Sequence, residues 1–249
     1  QSNIYINDIE NVVVPEELKG DGQCDITVPV IIINYFPTND GIYQDEKRGP
    51  TDPQEYINPT LDHMKYVLMK NILLTKLSIE EGSRFRDFGS NTVSKYVCVD
   101  VIKYINLYSL PLKKWGVPDS RENTIDYKEL FPKLGVEDLV NNSGVKEIWL
   151  GAFQNFNFNV ISNDASVDKN FIWGIPEANM SSPLTGDISN SWGIQDDLPV
   201  YNNTYITYCL LADDAAIANM HMRGHQIEVM LKYLDKTPEK MYENLFEGR

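Results

Sequence analysis

Basic residues are scarce in this sequence. The 249-residue chain carries 22 Lys and Arg against 36 Asp and Glu, a formal charge of −14, with a pI near 4.6. Nucleic-acid binding needs clustered cations against phosphate, so that class is excluded as a general function. An anionic membrane surface is excluded as the main partner for the same reason. Long apolar runs are also missing. The longest, around Val28 to Ile33, falls far short of the roughly 20 residues that cross a bilayer as a helix. Cysteine is sparse: Cys24, Cys98 and Cys209 lie far apart, with no Cys-x-x-Cys. Neither a thiolate zinc site nor a dithiol redox motif is supported. Cys98 and Cys209 sit in apolar runs and read as buried thiols acting as small apolar residues. There is no phosphate loop, no Gly-x-Gly-x-x-Gly after a strand and no Gly-x-Ser-x-Gly elbow. Asp164 and Asp168 lack the spacing of a calcium loop and read as a solvated acidic stretch.

What is present has the pattern of an α/β chain. Val28 to Phe36 (VPVIIINYF) is almost continuously β-branched or aromatic, the signature of a strand covered on both faces. A Pro- and Gly-rich stretch follows to Pro59. Leu61, Met64, Leu68 and Ile72 then recur at helical spacing, predicting a helix to about Ser78. Further strands are predicted over Tyr96–Tyr108, Val145–Phe153 and Tyr205–Leu211, with helical character at Tyr127–Val140 and Asp213–Leu234. Strands alternating with helices predict one α/β domain over residues 1–249, with a mostly parallel open sheet flanked by helices. Residues 1–25 read as an arm or edge strand. Residues 154–204 read as a long, loop-rich connection between the third and fourth core strands, and such connections are usually functional.

On the last helix, Ile217, Met220, Gly224, Ile227, Leu231 and Leu234 form a stripe expected to face the core. His221, His225 and Glu228 each follow a stripe residue by one position and so form a second, polar line. Two imidazoles at i and i+4 can bind a metal with a carboxylate as third ligand, or act as a base oriented by that carboxylate. Met222 stands where a zincin would place its Glu. Gly224 suggests a close approach to the helix backbone, because Gly inside a helix costs about 1 kcal/mol against Ala.

The connection holds Glu177, Asn179, Ser181, Asp187 and Asn190, with Pro183 and Gly186 setting turns. Trp149 ends the strand before it and Trp192 follows. Aromatic faces beside amides and carboxylates suit a carbohydrate or a peptide. The run ANMSSPLTGDISNS, with GVKEIWLGAF before it and RGHQIE after it, resembles a set of predicted secreted proteins over roughly residues 25–235. That resemblance implies secretion and carries no catalytic residues. The chain begins at Gln1 without a charged-then-apolar leader and reads as a processed or trimmed product.

Two functions compete. One is a secreted or cell-surface hydrolase using His221, His225, Glu228, Glu177 and Asp187. The other is a non-catalytic carbohydrate- or protein-binding or adhesion module using the Trp- and Tyr-rich loops, with His221 and His225 bracing the loop. Asn179, Ser181, Asn190, Trp149 and Trp192 are the expected ligand-binding residues. Both expect a small polar ligand, carbohydrate or peptide, as partner. No cofactor is expected, with a divalent metal at the histidines as the alternative. Ligands of open parallel sheets bind outside the carboxyl ends of the strands, so the histidine line and the 177–191 segment are expected to converge there.

Overall fold

The long β-branched run becomes the centre of the molecule. The computed structural model describes residues 8–36, 38–39, 42–43, 61–87, 89, 92–108, 112–114, 123–152, 178–189, 198–211 and 219–226. Strand β2 (Ile26–Tyr35) holds Ile31, Ile32 and Ile33 without solvent exposure. Successive side chains point to opposite faces, so full burial of all three requires cover on both. On one side β2 pairs in parallel with β5 (Val97–Leu107), and on the other with β8 (Glu147–Ala152). Strand β11 (Tyr205–Leu211) extends the parallel set beyond β8.

The sheet is nevertheless not the mostly parallel one expected. Strand β1 (Ile9–Val12) pairs antiparallel with β5, and β9 (Ala178–Ser182) pairs antiparallel with both β11 and β10 (Gly186–Ser189). The seven strands run β1-β5-β2-β8-β11-β9-β10. Two further antiparallel ribbons join β3 (Thr38–Asn39) to β4 (Ile42–Tyr43) and β6 (Leu112–Lys114) to β7 (Asn123–Ile125). Five of the eight strand pairings are therefore antiparallel. Helices are few among the described residues: α1 (Leu61–Gly82), α2 (Tyr127–Leu134), α3 (Val136–Asn141) and α4 (219–226). Among the described residues the fold is a mixed sheet with sparse helical cover. For the hairpins the physical reason lies in short connections. Only three residues separate β9 from β10, and a link that short cannot make a parallel crossover. Gly186, at φ 72°, closes the hairpin where a side chain would be strained.

Register assigns the faces. Asn34, Gly151 and Asn106 are aligned across β2, β8 and β5, and Ile32, Trp149 and Tyr208 across β2, β8 and β11. Helix α1 covers that face: a Cβ on Gly151 would lie 2.7 Å from Leu68 Cδ2. Helix α4 joins α1 there, with Asn219 Nδ2 donating to Thr75 Oγ1 at 3.3 Å. The other face carries α2, whose Phe131 ring meets Tyr205 at 6.1 Å. Asp126 caps α2 by accepting from Glu129 N. Near the start of β5, Glu80 of α1 accepts from the backbone N–H of Val99 and from Lys76. The expectation of buried thiols at Cys98 and Cys209 is corrected at Cys98, which forms a disulfide with Cys24, their Cα atoms 5.7 Å apart. Cys209 is buried and takes no part in it.

Candidate functional site

Helix α4 places its polar groups differently from the hydropathy stripe. Asn219 and Met222 are buried, whereas Gly224 is exposed and a Cβ there would meet nothing within 4 Å. The inner side carries Asn219, Met220, Met222, Arg223 and Gln226, so the expected approach to Gly224 is corrected. An ion pair fixes this rotation. Arg223 donates from Nη2 to Glu147 Oε1 at 2.6 Å and from Nη1 to Glu147 Oε2. Trp149 Nε1 also donates to Glu147 Oε2, at 2.9 Å. The guanidinium lies 5.4 Å from the Tyr208 ring centre, a cation–π distance. The Tyr208 hydroxyl donates to Gln226. Burial works to lower the Arg223 pKa, but Glu147 beside it outweighs burial and holds it above its ordinary value. Burial, with Glu147 adding to it, pushes the Tyr208 hydroxyl well up. Arg223 is thus held in its charged form.

The histidines flank Arg223 on the outer side of α4. Their Nε2 atoms are 3.0 Å apart and their rings perpendicular, with centroids at 4.6 Å. His221 is exposed and His225 half-buried. Arg223 reaches Glu147, the first residue of β8, so this part of α4 lies by the amino end of that strand. The carboxyl end was expected.

The polar connection is on the opposite face. Asn179 is level with Thr207, and Ser181 with Tyr205 and Asp187. These positions alternate with Tyr208, beneath Arg223. Ser181 Oγ and Tyr205 OH both donate to Pro199 O at 2.7 Å, and Leu198 N donates to Asp187 Oδ2 at 2.9 Å. Asn179 and Ser181 are fully buried. These groups clip residues 198–199 to the hairpin. Trp149 is buried with its ring nitrogen committed to Glu147. The structure thus brings His221 to His225, and Ser181 to Asp187, but does not bring the two sets together. Glu177, Glu228, Asn190 and Trp192 lie outside the described residues, as do Ile217, Ile227, Leu231 and Leu234 of the expected stripe.

A third polar row crosses the sheet near the carboxyl ends. Asn34 Nδ2 donates to Asn106 Oδ1 at 3.2 Å, and Asn106 Nδ2 donates to Glu10 Oε2 at 3.0 Å. Tyr108 and Lys65 also donate to Glu10. Those bonds, Tyr108 and Asn106 foremost and Lys65 after them, hold the Glu10 carboxyl down to about 2. Sequence reading missed Glu147, Arg223, Asn34 and Asn106. The available signal was polar residues inside otherwise apolar strands, Glu147 in VKEIWL and Asn34 in VIIINYF.

Among the described residues no helix is long and apolar enough to cross a membrane. No protein-family model, curated protein or solved structure matches this chain.

Proposed function

We propose that this protein is a secreted or cell-surface module that binds a polar ligand, carbohydrate or peptide, without turning it over. The observation that carries the reading is topological. From β2 the chain crosses to β5 on one side, and from β5 it crosses back to β8 on the other. Adjacent parallel strands whose connections diverge leave a crevice at their carboxyl ends, the usual ligand position in such sheets. Two long segments, 36–60 and 153–177, leave from the ends of β2 and β8, and both are rich in Asn, Asp and aromatic residues. Two of the described carboxylates near the expected chemistry are already engaged, Glu147 by Arg223 and Trp149 and Asp187 by Leu198 N. That favours binding over catalysis. The Cys24–Cys98 bond supports an oxidising compartment.

The hydrolase reading has one observation in its favour, the His221–His225 contact. A panel of immobilised polysaccharides and peptides separates the two. Binding predicts retention of the intact chain, loss of retention in Trp173→Ala, within the 153–177 segment, with an unchanged melting temperature, and no soluble product. Release of sugars or peptides, abolished in His225→Ala, would overturn it.

A further inference from the structure

We propose that His221 and His225 form a transition-metal site on the outer face of α4, with Cu(II) or Ni(II) as the favoured ion. This goes beyond ligand binding at the sheet edge and does not depend on it. Side chains at i and i+4 of a helix are neighbours, and here both ε-nitrogens turn toward each other at 3.0 Å. Metal–imidazole bonds are about 2.0–2.1 Å. An ion held equally by both nitrogens at their present 3.0 Å separation would subtend an N–metal–N angle of about 94°. Tetrahedral binding would need the nitrogens to open to about 3.3 Å. A near-right angle suits tetragonal Cu(II) and Ni(II), which also stand high in intrinsic affinity for nitrogen ligands.

The surroundings permit a cation. Arg223, between the two histidines in sequence, turns inward and is held bidentate by Glu147. Its charge is therefore compensated. His221 is exposed and Gly224 has open space at its Cα, so the remaining coordination positions face outward and can take water or a small donor ligand. In the metal-free pair, one Nε2–H donates to the other Nε2. On metal binding that imidazole shifts its proton to Nδ1, so both ε lone pairs face the ion and no net proton is lost.

The test is calorimetric titration of the full, EDTA-treated chain with CuCl2 in a non-coordinating buffer. The expected result is one site per chain. His221→Ala and His225→Ala should each weaken it by more than the roughly 10–100-fold that loss of an outer-shell partner costs. His63→Ala should bind like the wild type. Circular dichroism checks that both variants are folded. Should either variant fail to fold, electron paramagnetic resonance of the wild-type Cu(II) adduct decides. Hyperfine coupling to two imidazole nitrogens supports the site, and coupling to fewer overturns it. Unchanged copper binding in His225→Ala, or no wild-type binding beyond that of the double variant, also overturns it.

Discussion

Replacing Arg223 with Met strands a charge. The side chain keeps a similar length, but Glu147 loses both guanidinium hydrogen bonds and keeps the one from Trp149 Nε1. Glu147 is 6% exposed and Arg223 22%, so water replaces little of what is lost. Breaking a buried pair by removing one partner costs about 3–5 kcal/mol, mostly as the penalty on the charge left behind. For a chain of 249 residues, each kcal/mol moves the melting temperature by about 2–4 °C, so Arg223→Met should melt about 6–20 °C lower. Removing both charges should behave differently. Arg223→Met with Glu147→Leu leaves no buried ion, and such replacements are often neutral or stabilising. Trp149 Nε1 then loses its acceptor, which costs about 1–3 kcal/mol. The double variant should therefore recover a large part of the stability lost by Arg223→Met. Urea unfolding followed by tryptophan fluorescence measures all three proteins. A single variant within about 1 kcal/mol of wild type, or a double variant less stable than Arg223→Met, would refute the reasoning.

Gly151→Ala should destabilise by about 1–3 kcal/mol through overpacking, since its Cβ would press on Asn34 Oδ1 and lie 2.7 Å from Leu68 Cδ2. A thermal melt equal to wild type would contradict that contact. Acid sensitivity follows from Glu10, whose carboxyl is held from an ordinary 4.5 down to about 2. Its stabilisation is complete above about pH 4.5 and is lost as pH falls toward 2. Glu10 is 46% exposed, so screening limits the effect to no more than about 1 kcal/mol. The stability difference between wild type and Glu10→Gln should shrink across that window, and a pH-independent difference would count against the Tyr108 and Asn106 bonds. Reduction of Cys24–Cys98, which closes a separation of 74 residues, should lower stability by about 2–5 kcal/mol. Identical unfolding midpoints with and without reductant would contradict it.

Legibility tracked apolar patterning. The run at Ile31–Ile33 specified a strand buried on both faces, and the 3–4 spacing from Leu61 specified α1, because burial is what hydropathy records. Strand β9, with sequence ANMSS, is buried at every position, yet its polar side chains give no alternation. Its place is fixed by backbone pairing on both edges, which no hydropathy pattern reports. Helix α4 keeps the expected stripe at Met220, which packs against the core, and departs from it at Gly224, which is exposed, for a similar reason. Its rotation is set by the Arg223–Glu147 ion pair and the Asn219–Thr75 bond, and both count as polar in any stripe. The Cys24–Cys98 pairing is equally silent, since spacing alone cannot assign connectivity. The error in α4 carried into the site. Once Arg223 faced inward, His221 and His225 faced outward, and the sheet came between them and Asp187.

That separation is the central claim, and a double-mutant cycle on His225 and Asp187 tests it most directly. Both residues would belong to one site if the polar connection and the histidine helix converged. They lie on opposite faces of the sheet, so His225→Ala and Asp187→Ala should add within about 0.5 kcal/mol in unfolding free energy. Additivity in this cycle is the result the account predicts. A coupling of about 1 kcal/mol or more would contradict it, because only residues in contact or in one shared network couple that strongly.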